Sequence, residues 1–104
     1  MVTTIALCPA DAVREGEIRK ATLPDGSDVA LYRVDGQIYA TADHCTHGDA
    51  SLSEEGVLSG NIVECSFHFG TFDVTTGEAT GMPCELALRT YPVRLIDGLV
   101  HIEV

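Results

Sequence analysis

Apolar and β-branched residues recur along this chain in short runs, each ended by turn-forming residues, and no apolar stripe at helical spacing persists over ten residues. Residues 2–7 read as a first strand, and 9–13 as a turn or a single helical turn. Strands follow over 17–23, 28–34 and 37–42. Pro24-Asp25-Gly26-Ser27 separates the first two as a tight turn, and Asp35-Gly36 joins the next two as a hairpin, because glycine accepts the positive φ such turns need. Residues 51–60 are polar and are expected to wrap a connection without a strand. Residues 61–64 and 71–75 form a further strand pair, Thr76-Gly77 marks a turn, and Gly81-Met82-Pro83 reads as a loop with no element of its own. Residues 88–96 and 99–104 close the chain around Asp97-Gly98. Pro92 marks an edge or a bulge in the former, and Val100, Ile102 and Val104 alternate in the latter with His101 and Glu103, which face solvent. Many short strands at turn-rich spacing predict an all-β sandwich or barrel.

The composition adds bounds. At 104 residues, 45% apolar and 21% charged, the chain makes one globular domain. No run approaches the length of a membrane span, and residues 1–10 lack the basic start and long apolar stretch of a secretory signal, so the expected address is the cytoplasm. Sixteen acidic residues against six basic ones give a formal charge of −10. That charge disfavours nucleic acid and anionic membranes and favours a basic protein surface as partner.

Chemistry concentrates in one window. Cys45-Thr46-His47-Gly48 is followed by Cys65-Ser66-Phe67-His68, with seventeen residues between His47 and Cys65. Two thiols and two imidazoles suit zinc or iron–sulfur chemistry and not calcium or magnesium, which take oxygen ligands. Structural zinc sites of this composition commonly group cysteine with cysteine and histidine with histidine. Here each short motif is mixed, as it is in a two-iron centre with cysteines on one iron and histidines on the other. Structural zinc remains the alternative. Of the other cysteines, Cys8 and Cys84 share no motif and are expected to pack as small apolar residues without a disulfide. His44 is a neighbour of the first motif rather than part of it. Dinucleotide, phosphate-loop and nucleophile-base motifs are missing, which points to a carrier rather than an enzyme.

Cys-x-His and Cys-x-x-His at this separation resemble the Rieske signature, and Cys45-Thr46-His47-Gly48 matches its first ligand loop closely. Over nearly the full chain, and most strongly over 42–74, the sequence is similar to the Rieske ferredoxins of bacterial aromatic ring-hydroxylating dioxygenase systems. The resemblance implies a Rieske-type antiparallel β-sandwich or barrel base, residues 1–42 and 86–104, with a small cluster-binding subdomain inserted at about 43–85. It implies one [2Fe-2S] cluster, with Cys45 and Cys65 on the inner iron and His47 and His68 on the outer. It also implies a monomeric electron carrier between an NADH-dependent flavoprotein ferredoxin reductase and a terminal oxygenase. A ferredoxin serving another oxygenase and a cluster-less domain like a nitrite reductase small subunit are the related alternatives.

High-potential members of the family resemble a pattern with a disulfide between the ligand loops and with serine and tyrosine hydroxyls donating to the cluster sulfurs. This chain has Ala50 and Phe67 at the disulfide positions, Gly70 at the serine position and Phe72 at the tyrosine position. A low potential is expected. Gly81-Met82-Pro83 is similar to the family's proline-containing loop over the cluster, and Phe67, Phe69 and Phe72 are expected to pack around the second motif.

Overall fold

The computed structural model describes residues 3–45, 50–65, 70–81 and 87–104. Eleven strands are found among them: β1 (Thr4–Pro9), β2 (Ile18–Thr22), β3 (Asp28–Val34), β4 (Gln37–Ala42), β5 (Gly56–Ser59), β6 (Ile62–Cys65), β7 (Thr71–Asp73), β8 (Ala79–Gly81), β9 (Thr90–Tyr91), β10 (Val93–Ile96) and β11 (Leu99–Glu103). The only helical pieces among the described residues are a 3-10 turn, Ala10–Ala12, and one turn of α-helix, α1 (Leu52–Glu55). The strands form three sheets ordered β1-β11-β10, β2-β3-β4-β9 and β5-β6-β7-β8, with every strand pair antiparallel. The all-β reading holds.

Two Asp-Gly pairs make the hairpins the sequence calls for. Asp35 and Gly36 take φ of 51° and 81°, and Asp97 and Gly98 take 53° and 77°, the left-handed pair of a type I′ turn whose twist matches that of the flanking strands. The last of the expected strands behaves differently at Pro92. Residues 88–96 do not form one bulged strand; the chain leaves the second sheet after Tyr91 and enters the first at Val93. Proline has no N–H for a ladder, so the break falls where the chain changes sheets.

Three further expectations need correcting. Residues 51–60 hold α1 and β5: Leu52 is anchored in the core, and Leu58 pairs with Val63, so a segment rich in serine and glutamate still contains a strand. Gly81 ends β8, which pairs with β7 across a bulge; a Cβ at Gly81 would collide with the Thr71 hydroxyl, which would have to turn away. Met82 and Pro83, and Cys84 too, lie outside the described residues. At the C-terminus Val104 is exposed because the strand stops at Glu103, and His101 is half-buried rather than open to solvent.

β3 organises the interior. Its residues alternate between two apolar clusters: Val29 and Leu31 join one that also holds Cys8, Val100 and Ile102, whereas Ala30 and Tyr32 join another with Leu52, Val63, Phe72 and Val74. A strand with both faces buried reads as a nearly continuous apolar run, as 29–32 does. Each large aliphatic side chain so buried contributes about 1.5–3 kcal/mol. The second cluster is floored by β3 and roofed by the β5–β8 sheet, and it contains Cys45 and Cys65.

Candidate metal centre

Both cysteines start a loop at the end of a regular segment. β4 runs out at Ala42, and three residues later the Cys45 N–H donates to Ala50 O at 2.9 Å. β6 ends on Cys65 itself, whose N–H donates to Gly70 O at 2.8 Å. Each cysteine thus closes a loop to the residue five positions on, across a span that contains one histidine: His47 in the first, His68 in the second. Those two histidines, together with Phe67 and Phe69, lie outside the described residues. The side chains of Cys45 and Cys65 are 1% and 3% exposed and pack into one apolar cluster with Val63 and Phe72.

The first loop has a brace that the sequence reading passed over. Asp43 is 2% exposed. Its carboxylate accepts from the Ser51 hydroxyl and, at 2.8 Å, from the Ser53 N–H, while its carbonyl accepts from the Leu52 N–H at 2.8 Å. The two arms of the loop, 43–45 and 50–53, are therefore clamped just below Cys45. Buried acceptors of this kind are worth keeping because an unpaired one would carry its full desolvation cost. An aspartate two residues before a ligand-type cysteine, with Ser-x-Ser beyond the loop, is the signal that could have shown it.

One further polar contact lies within the second sheet beneath this region, and another ties α1 to that sheet. Tyr32 is fully buried, and its hydroxyl lies 2.9 Å from Thr41 Oγ1; since Thr41 donates to Ala42 O, the tyrosine is the donor. Burial, with the Thr41 contact opposing it, pushes the Tyr32 phenol well above its ordinary pKa, so it stays protonated. On the surface Lys20 of β2 reaches Glu54 of α1 at 2.7 Å and Asp28 at 3.8 Å. The hydrogen bond between Lys20 and Glu54 is the main cause holding the lysine above and the glutamate below their usual values. His44 is exposed, lining with Asp43, Ser51 and Glu54 a cleft of about 390 Å³ beside the first loop, and it adds no buried donor.

The donor set fits a sulfur-loving metal group. Two soft sulfur donors share one dry wall, and each loop carries an imidazole two or three residues beyond its cysteine. Phe72 is fully buried and Gly70 is buried too, so the described residues place no hydroxyl at the two positions where the resemblance to high-potential members would put tyrosine and serine. Phe72 packs as expected. Cys8 is a buried free thiol in the other cluster, opposite Val100.

Residues 3–92 match the family model of the Rieske [2Fe-2S] domain. The chain is 51% identical over 100 residues to the ferredoxin component of the p-cumate 2,3-dioxygenase system of Pseudomonas putida, covering 96% of this chain and 85% of the relative. Among solved structures it superposes on a ferredoxin of Sphingomonas yanoikuyae B1 with a TM-score of 0.93 at 39% identity, over 98% of this chain and 99% of that one. It also matches a chain in a complex of reduced oxygenase and oxidised ferredoxin of carbazole 1,9a-dioxygenase, with a TM-score of 0.89 at 41% identity over 95% and 91% of the two chains. Motif, fold and likeness over nearly the whole length converge: the chain belongs to the Rieske [2Fe-2S] family.

Proposed function

We propose that this protein is a one-electron carrier that takes electrons from an NADH-dependent flavoprotein reductase and delivers them to the terminal oxygenase of an aromatic ring-hydroxylating dioxygenase system. One [2Fe-2S] cluster is held by Cys45 and Cys65 on one iron and by His47 and His68 on the other. Residues 43–85 form the cluster-binding subdomain on a base of 1–42 and 86–104. The protein acts as a monomer, and its NADH-linked supply puts it in the cytoplasm. The observation that carries the reading is the pair of buried cysteines on one apolar wall, each opening a hydrogen-bonded loop that holds one histidine.

Bound there, the cluster supplies a one-electron couple, made easier to reduce than an all-cysteine cluster because two neutral imidazoles replace two thiolates. The chain's own residues do the rest. Leu52, Val63, Phe72 and Val74 exclude water from the cysteine side. Asp43 and the Cys45 and Cys65 amides hold the loops in one arrangement, which keeps the reorganisation accompanying a charge change small. With glycine and phenylalanine at 70 and 72, no hydroxyl from these positions stabilises the reduced state, and the potential falls near the bottom of the Rieske range, about −150 mV. The acidic surface draws basic partners by long-range attraction.

Reconstitution tests this. Purified protein mixed with an NADH-dependent flavoprotein reductase and an aromatic ring-hydroxylating oxygenase is expected to sustain product formation that slows as salt is raised. Turnover independent of this protein, or a clearly positive midpoint potential in a redox titration, contradicts it.

A further inference from the structure

Charge is divided unevenly along the chain. Residues 43–85 hold eight of the sixteen acidic residues and none of the six basic ones; Arg33 and Arg89 are the flanking cations. The remainder is nearly balanced, with eight acidic and six basic residues. The acidic field therefore originates mainly in the segment that carries the ligand loops.

Within that segment the β5–β8 sheet has one face turned into the core and one turned out. Leu58, Val63, Cys65 and Phe72 take the inner face. The strand register puts Val57, Glu64 and Thr71 in one row across the outer face, with Ser59, Ile62 and Asp73 in the next, and the Thr80 hydroxyl donates to that of Thr71 at the end of the first row. Val57 is 61% exposed, and it is the one exposed large apolar side chain among the described residues of 43–85. Glu64 is exposed, and its carboxylate has no ion-pair or hydrogen-bond partner among the described residues. The row lies at the root of the second loop: Glu64 immediately precedes Cys65, and Thr71 follows Gly70.

We propose that this outer sheet face is a docking surface for the terminal oxygenase, engaging a patch of lysines and arginines set around an apolar side chain that covers Val57. The inference rests on the carrier reading above and names the flank through which that carrier binds. A two-part surface of this kind fits the observations: unpaired negative charge steers and orients a basic partner, while an exposed apolar residue supplies the contact that charge alone does not. No cation from 43–85 opposes the approach.

Calorimetric binding of the cluster-loaded protein to an aromatic ring-hydroxylating oxygenase that accepts its electrons tests this, with visible and EPR spectra checking that each variant keeps its centre. Glu64→Lys and Thr80→Lys are each expected to weaken binding about tenfold and to flatten its salt dependence. Val57→Asp adds negative charge and is still expected to weaken binding, because the apolar contact is lost. Asp11→Lys, an equal charge change to Glu64→Lys on the base, is expected to alter the affinity less than threefold. The proposal is overturned if Glu64→Lys and Asp11→Lys weaken binding equally, if Val57→Asp strengthens it, or if the outer-face variants bind as the wild type does. A wild-type protein that reduces no such oxygenase overturns the carrier reading itself, a separate result.

Discussion

The two apolar clusters on either side of β3 each bury cysteine, yet they differ in what the chain does next. In the base cluster Cys8 sits inside β1, opposite Val100, and the strand continues to Pro9. In the other cluster Cys45 and Cys65 stand where regular structure stops and a loop closed by the cysteine's own amide begins. Burial in apolar surroundings is common to all three thiols, so burial alone does not tell them apart. A cysteine becomes available to a metal when the backbone turns there and brings a second donor within a few residues.

The largest effect follows from that difference. Cys45→Ala or Cys65→Ala is expected to abolish bound iron and acid-labile sulfide, whereas Cys8→Ala keeps both in full and costs about 1 kcal/mol in thermal or chemical unfolding. Iron loss in the Cys8 variant would erase the distinction between the clusters. Next comes the brace on the ligand-loop side. Asp43→Ala leaves the half-buried Ser53 amide and Ser51 hydroxyl without this acceptor and is expected to destabilise the protein by about 1–2 kcal/mol. Faster amide exchange at Leu52 and Ser53 should accompany it, with the β1-β11-β10 amides unchanged; uniform loosening would mean the two regions unfold as one unit. Tyr32→Phe, which removes one buried hydroxyl contact under the same cluster, should cost about 1 kcal/mol.

Smaller effects appear as pH dependence. The Thr75 hydroxyl, followed by backbone amides, holds the Asp73 carboxyl below its ordinary range. A depressed folded-state pKa stabilises the protein above the unfolded value, and that stability is lost as pH falls through the folded value, so Asp73→Asn should flatten the acid limb of a stability profile. Glu54 behaves the same way on the acid side, while Lys20, raised by its bond to Glu54, loses its contribution as pH rises through its folded value. Both groups are solvent-screened, so Glu54→Gln should leave the melting temperature nearly unchanged at physiological salt. A large drop would show that the surface clasp, not the shared β3 wall, joins the regions.

Much of this was legible in the residues. Asp35-Gly36 and Asp97-Gly98 announce their hairpins because few residues accept two successive left-handed angles, and 28–34 and 37–42 are the ranges of β3 and β4. The Cys-His spacing picks out Cys45 and Cys65, which the fold brings into one apolar cluster. What escaped depends on partners distant in sequence. β5 is a strand because β6 lies beside it, and Pro92 divides a strand because two sheets compete for its flanks. Asp43 carries no metal-ligand spacing, and its importance comes from burial that only packing reveals. The half-buried position of His101 likewise follows from β11 being the central strand of its sheet, with Ala6 of β1 on one side and Arg94 of β10 on the other.

Pulsed EPR of the dithionite-reduced protein, on a sample analysed for iron and sulfide, bears most directly on whether these two loops share one mixed-ligand centre. Two irons and two sulfides per chain are expected, with one unpaired spin coupled to two distinct imidazole nitrogens, and with that coupling reduced to one nitrogen in His68→Cys or the centre lost. A colourless protein containing a single zinc, or a paramagnetic centre without nitrogen coupling, would contradict it.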